Sequence, residues 1–229
     1  MEPKTPGTFV EGLTPDDRSA LLALGVEKAY RQGDVMLREG ERTDHVVLLL
    51  RAIVKVTRTL DNGRFALLNI KIGGDLVGEM AALSGDPRSA TVTACAESRV
   101  RIVTAADFRR YLADSPGAHL ALDRMIMRTL MWADKRRVDF SCFTAQVRLA
   151  RVLSELAEGY GRTVPQGVMI DLGLTQKEVG ALIGVEEDTA RKELRALRDR
   201  GVVRMGYRTQ TIVDARALGR IAEGSWETR

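Results

Sequence analysis

The residues best equipped for chemistry lie between Gly73 and Ala94, in the stretch GGDLVGEMAALSGDPRSATVTA. It has neither the GxGxxG of a dinucleotide-binding turn nor the lysine of a P-loop. It does offer a glycine-flanked carboxylate, Glu79, and nine positions later an Arg88–Ser89 pair. A carboxylate accepts hydrogen bonds from a sugar hydroxyl. A guanidinium presents a planar charged fork to phosphate oxygens, and a serine hydroxyl adds a donor. Gly78, lacking a Cβ, lets the backbone come close to a bound molecule. The set suits a small ligand carrying both sugar hydroxyls and a phosphate. Taken singly, such residues are more commonly a surface Glu–Arg pair beside turn glycines.

Other chemistries find no support. An iron–sulfur cluster needs about four cysteine ligands, and the chain has Cys95 and Cys142 in unrelated contexts. His45 and His119 are isolated and read as surface or core residues, not as haem ligands. There is no HExxH, no nucleophile paired with a base, and so no expectation of an enzyme or a metal site.

Composition narrows the class further. The chain has 229 residues, 45% hydrophobic and 29% charged, as expected of an ordinary globular protein of one large or two ordinary domains. No apolar run approaches the ~18–20 residues that span a bilayer, and the residues after Met1 do not form a signal-peptide core. A cytoplasmic protein without a membrane partner is expected. Arginine outnumbers lysine 28 to 7, and alanine and glycine are abundant, which points to a GC-rich bacterial genome. The net charge is +4, and from Ser141 onward 14 Lys/Arg against 12 Asp/Glu leave only +2. That balance permits a nucleic-acid partner without requiring one, so a motif must carry the case.

The elements that position these residues fall into three regions. From about Gly33 to Thr104, the runs HVVLLL, IVKVTRTL, FALLNIKI, SATVTA and RVRIVT alternate with turn signals. Asp61–Asn62–Gly63 is a strong hairpin signal, and short strands at this spacing predict a compact antiparallel barrel or sandwich. From about Pro116 to Phe140 the pattern predicts one long helix, with Pro116 in its first turn. Leu122, Ile126, Leu130 and Ala133 form one apolar stripe and Leu120, Met127 and Met131 another. Two stripes suggest that one face covers the barrel and the other a partner. The simpler alternative is a helix buried within one domain.

The third region, Thr144 to Arg229, reads as mostly helical with a short β element. AQVRLARVLSELAEGYG puts Leu149, Val152, Leu153 and Leu156 on one face and is expected to end at Gly159. Thr175 and Glu178 have the spacing of a capping box, opening a short helix to about Ile183. Gly184 suits a left-handed turn. A second helix from near Glu186 buries Ala190, Leu194 and Leu197 and stops at Gly201. Gly180 leaves room for the two helices to cross closely. VVRM and TQTIVD around Gly206 then read as a hairpin. Helix, short glycine turn, helix and hairpin make a winged helix-turn-helix. The alternative is a helical interaction module.

In a helix-turn-helix the second helix presents its N-terminal residues to base edges in the major groove. Here those are Glu186, Glu187, Asp188, Arg191 and Lys192. Arginine reads guanine and a carboxylate can accept from cytosine N4, yet acidic residues also stabilise a helix N-terminus. Thr175, Gln176, Lys177 and Arg208 complete the expected DNA-facing set, the last three as phosphate contacts.

GDLVGEMAAL…DPRSATVTA resembles the phosphate-binding cassette of cyclic-nucleotide-binding domains. With QGDVMLREGERTDHVVLLL before it, a long helix after it and a winged helix at the end, nearly the whole chain is similar to the Crp/Fnr family of bacterial transcription regulators. The resemblance implies an α+β protein: an N-terminal antiparallel β-roll (1–115), a long dimerisation helix (116–140) and a C-terminal winged helix-turn-helix (141–229). It implies ribose contact by Gly78 and Glu79 and cyclic-phosphate contact by Arg88 and Ser89. Cyclic AMP is the implied ligand, with cyclic GMP, another ligand or none as alternatives. The implied partners are a second copy, double-stranded DNA carrying an inverted repeat, and RNA polymerase. The alternative class is a nucleotide-binding interaction module without sequence-specific DNA binding.

The sequence departs from the family pattern in places. The positions where the family sets a hydroxylic pair against adenine fall on Ala133, which cannot hydrogen-bond a base, and Asp134, which can accept from the adenine amino group. The guanine-reading arginine position falls on Glu187, followed by Asp188 and, four further on, Lys192. A target unlike the familiar GTGA half-site is therefore expected. Ala52 replaces a turn glycine.

Overall fold

A computed structural model of the chain describes residues 7–60 and 65–224 and divides it into two compact units, with the boundary inside one helix between Met131 and Trp132. The Asp61–Asn62–Gly63 turn lies outside the described residues.

The first unit is built from β1 (Val26–Tyr30), β2 (Val35–Leu37), β3 (Val46–Arg51), β4 (Ile53–Thr59), β5 (Phe65–Ile72), β6 (Leu76–Val77), β7 (Thr91–Ala94) and β8 (Ser98–Val103). All pairings are antiparallel, in two four-stranded sheets of order β1-β8-β3-β6 and β2-β7-β4-β5. The near-continuous apolar run of β3 has a physical reason. Val47 and Leu49 enter the core shared with Val54, Val77, Val92 and Val100, while Val46 and Leu48 point the other way, into a helical layer. A strand covered on both faces has no need of a polar alternate residue. Strands β1, β2 and β6 carry no clear sequence signal: β1 is mostly exposed, and β2 and β6 have three and two residues.

The helical layer comprises α1 (Pro15–Ala23), α2 (Glu79–Ser84), α3 (Ala105–Asp114) and the first half of α4 (Pro116–Cys142). Thr14 and Thr104 cap α1 and α3 through their hydroxyls. Phe9, Leu21, Phe108, Leu112, Ala118, Ala121, Leu122 and Met125 form the core against β3. The helix runs two residues beyond the expected end. The expected stripes are also redistributed. Of the first, only Leu122 is buried, alongside Ala118, Ala121 and Met125, which keep the i, i+3, i+4, i+7 spacing of one face. Ile126, Leu130 and Ala133 instead join the exposed face with Leu120, Met127 and Met131.

The second unit contains the end of α4, α5 (Ala145–Tyr160), β9 (Arg162–Val164), β10 (Gly167–Ile170), α6 (Gln176–Ile183), α7 (Glu187–Asp199), β11 (Val203–Met205), β12 (Gln210–Ile212) and α8 (Ala215–Ala222). The predicted apolar face of α5 is buried, but the helix continues to Tyr160, with Gly161 as its C-cap. Gly159 is simply a buried helical residue, because a helix interior tolerates one glycine at modest cost. The hairpin is larger than expected too: β11 and β12 join β10 and β9 in a four-stranded sheet of order β11-β12-β10-β9.

Candidate functional site

The cassette is organised around Arg88, which is only 3% exposed. Its Nη1 donates to the Gly78 carbonyl at 2.8 Å, Nη2 to the His45 carbonyl at 2.6 Å, and Nε to the Thr43 hydroxyl at 2.9 Å. The arginine backbone is also fixed, its amide donating to Glu41 and its carbonyl accepting from Gly40. Every side-chain partner is neutral, so none cancels the guanidinium's charge. Burial disfavours that charge, and the nearby carboxylates of Asp44, Glu79 and Glu41 partly restore it.

Gly78 is required on two counts. It adopts φ +83°, and a Cβ there would stand 2.6 Å from Arg88 Nη1 and 2.9 Å from Leu37. The close approach foreseen for Gly78 is thus, first of all, to Arg88. Glu79 follows as the first residue of α2 and is half-buried. Burial pushes its carboxyl above the usual range, opposed chiefly by Lys71 and by its own amide N–H. Buried Asp75, which accepts from the Ile72 amide, is raised for the same reason. Arg109 of α3 ties down the other end of α2, its Nε and Nη2 reaching the Ala82 carbonyl at 3.0 and 2.6 Å. Ser89 is exposed.

Gly78, Glu79 and Arg88 are therefore gathered in one place, with Ser89 beside them in the chain. Ala133 and Asp134 belong to the other unit, where both are exposed and Asp134 pairs with Arg137 at 3.3 Å. Thr43, His45 and Arg109 were not anticipated. The first two lie 45 and 43 residues from Arg88 and contribute through a hydroxyl and a backbone carbonyl, so no local pattern marks them.

In the second unit the helix-turn-helix is built as the residues predict. Thr175 and Glu178 form a complete capping box at the start of α6, and Gly184 ends it at φ +67°. A Cβ on Gly180 would stand 2.8 Å from the Val185 carbonyl and 3.4 Å from Ala190, so the helix crossing depends on this glycine. Ala190, Leu194 and Leu197 are buried. Helix α7 begins at Glu187, with Glu186 as N-cap. Its outer face carries Asp188, Lys192 and Arg195, all exposed, and Arg191, half-buried. Gln176 and Lys177 are exposed at the start of α6. Arg208 sits in the β11–β12 turn at φ +54°, its guanidinium 5.5 Å from the Tyr207 ring centre.

A polar cluster in the same unit had no sequence signal. Arg136, 4% exposed, meets both Glu155 oxygens at 2.8 Å and Asp139 at 2.9 Å. Arg151 meets the other Asp139 oxygen at 2.9 Å and lies over the Phe143 ring, while Lys135 pairs with Glu155. The cluster locks the end of α4 to α5. Phe140, also from α4, reaches the helix-turn-helix turn, where a Cβ on Gly184 would be 3.2 Å from its ring.

A β-roll with a buried arginine against a glycine-capped helix, joined in the chain to a winged helix-turn-helix, defines a ligand-sensing DNA-binding protein. Comparison with known proteins agrees. Residues 27–115 match the cyclic nucleotide-binding domain and residues 147–221 the Crp-like helix-turn-helix domain. The chain is 27% identical over 212 residues to the CRP-like cAMP-activated global transcriptional regulator of Mycobacterium tuberculosis, covering 93% of this chain and 95% of that one. It is 27% identical over 213 residues to the Cyclic AMP receptor protein of Thermus thermophilus, with the same coverage. Among solved structures it is similar to the c-di-GMP responsive global regulator CLP of Xanthomonas campestris, with TM-score 0.77 and 17% identity over 88% of this chain and 100% of that one. The chain belongs to the Crp/Fnr family of transcription regulators. It is a regulator and not an enzyme. No described helix is long and apolar enough to cross a membrane.

Proposed function

We propose that the protein is a homodimeric regulator whose affinity for an inverted-repeat DNA site is controlled by a cyclic nucleotide, cyclic AMP first, bound at the cassette. The observation that carries this reading is the Arg88 cradle: a buried guanidinium held only by neutral acceptors, beside a half-buried carboxylate. A buried charge whose direct hydrogen-bond partners are all neutral is costly, and a ligand phosphate would supply a counter-ion in direct contact. Gly78 and Glu79 would hold the ribose, Arg88 and Ser89 the cyclic phosphate. Ala133 and Asp134 are the candidates for the base side of the ligand, Asp134 through its carboxylate. Thr175, Gln176, Lys177, Glu187, Asp188, Arg191, Lys192 and Arg208 form the DNA-facing set, and RNA polymerase is the expected further partner.

The exposed apolar face of α4, with Leu120, Met127, Leu130 and Met131 each about half exposed or more, supports the dimer. Ligand would bias DNA binding only through different affinities for two conformations of the dimer. Calorimetric titration with cyclic AMP and cyclic GMP, alongside mobility shifts with and without nucleotide, tests the whole reading. Tight binding that alters the shift supports it; heat from neither nucleotide would overturn the ligand assignment. Sedimentation of Leu130→Glu should show monomer where the native chain shows dimer, since an unpaired charge at an apolar interface is costly.

A second reading keeps the regulator and changes the ligand. Ala133 cannot hydrogen-bond a base, and a structural relative is described as responsive to c-di-GMP. Cyclic di-GMP therefore belongs in the same titration.

A further inference from the structure

The acidic start of α7 makes little sense as a DNA-facing surface until its contacts are followed. Arg191 is the hub. Its Nε donates to Gln176 Oε1 at 3.1 Å, its Nη2 lies 3.2 Å from Glu187 Oε1, and its Nη1 lies 3.2 Å from Asp188 Oδ1. Each guanidinium nitrogen has one partner, two by hydrogen bond and Nη1 by an ion pair, and the three partners come from two helices. Two of the five N–H groups, on Nε and Nη2, are hydrogen-bonded and Nη1 is held by its ion pair to Asp188, so an N–H on each Nη remains to be offered. Those are the groups that a guanine O6 and N7 accept together. Lys192 and Arg195 differ: both are exposed, and neither forms an ion pair among the described residues. They can follow phosphates as mobile charges, whereas Arg191 is held in one orientation before any partner arrives. An arginine ordered in advance loses less side-chain entropy on binding.

We infer that Gln176, Glu187 and Asp188 are positioning residues that aim Arg191 at a guanine edge, and that the acidic pair does not itself take a base. The inference rests on the proposed DNA reading. It moves base recognition one residue before Lys192 and one helical turn after Glu187. Glu187 and Asp188 then serve recognition through the residue they orient, at the cost of some attraction to phosphate.

Selection of bound sequences from random duplexes by the full-length protein, with and without cyclic AMP, tests this. The native chain should prefer guanine at one symmetric pair of positions, and Arg191→Ala should lose that preference at least tenfold. Glu187→Ala and Gln176→Ala should each relax the same positions several-fold. Glu187→Gln, which keeps an acceptor, should retain more of the preference. Affinity for unselected DNA should rise slightly in Glu187→Ala, a change that mere misfolding would not produce. Relaxation at different positions in Glu187→Ala, or an unaltered preference, would show that the clamp does not aim Arg191. A native chain without any sequence preference would overturn the DNA reading itself and this inference with it.

Discussion

Arg88 and Arg136 are almost equally buried, at 3% and 4% exposure, yet the two units hold them by opposite means. In the sensor unit Arg88 is held by two carbonyls and a hydroxyl and keeps its charge. In the DNA-binding unit Arg136 meets Glu155 and Asp139 and is neutralised twice over. An arginine ringed by neutral acceptors is ready for an anion from outside. One whose Nη2 already meets two carboxylates has its anions and holds helices together. Burial alone therefore does not separate the two arginines; the charge of their partners does.

The largest effect should come from breaking the closed cluster. Arg136→Met leaves Asp139 and Glu155 with fewer counter-charges in a buried site, and should destabilise the DNA-binding unit by about 3–5 kcal/mol in urea unfolding. Nucleotide binding at the cassette should change far less. A loss under 1 kcal/mol would mean that the cluster is better solvated than its burial implies.

Arg88→Ala should show the reverse pattern. Removing a charge-assisted contact of roughly 1.5–3 kcal/mol predicts at least about a tenfold loss of nucleotide affinity by calorimetry. The orphaned carbonyls of Gly78 and His45 should cost some stability in the sensor unit as well. Unchanged affinity would remove the cassette from the ligand site.

Gly78→Ala tests the cradle without touching its charge. A side chain at φ +83°, 2.6 Å from Arg88 Nη1, should cost about 1–2 kcal/mol of stability and weaken the ligand by displacing the guanidinium. Wild-type affinity in this variant would show that Arg88 need not be held where it is.

The smallest effect is a pH dependence confined to the sensor unit. Burial raises Asp75 above the usual aspartate range, so the folded chain binds its proton more tightly than the unfolded chain does. Stability from this group therefore falls as pH rises through the window above the ordinary value of about 3.9, and returns as pH falls. Asp75→Asn should flatten that slope and leave stability near neutral pH equal or slightly higher. A thermal-shift series from pH 4 to 8 reads it directly, and an unaltered slope would place its source elsewhere.

Much was legible in the sequence because it is encoded locally. Short runs rich in Val, Ile, Leu and Thr between turn signals mark β3, β4, β5, β7 and β8. A capping box at Thr175 and Glu178, a left-handed glycine at 184 and a small residue at 180 mark the helix-turn-helix within ten residues of chain. The cassette residues Gly78, Glu79 and Arg88 are close enough in sequence to stand out together. What the tertiary structure alone decided involves distant partners. Thr43 and the His45 carbonyl hold Arg88 from more than forty residues away. Arg136 meets Glu155 from another helix, and Gln176 turns an apparently acidic helix start into a support for Arg191. The end of α5, the pairing of β9 and β10 with the wing, and the choice of Ala118, Ala121, Leu122 and Met125 as the buried face of α4 belong with these. Local sequence states which groups are present and what backbone they prefer. Only packing brings a charge to its partner, and the partner decides whether that charge stays open to a further anion, is held in one orientation or is closed into a core.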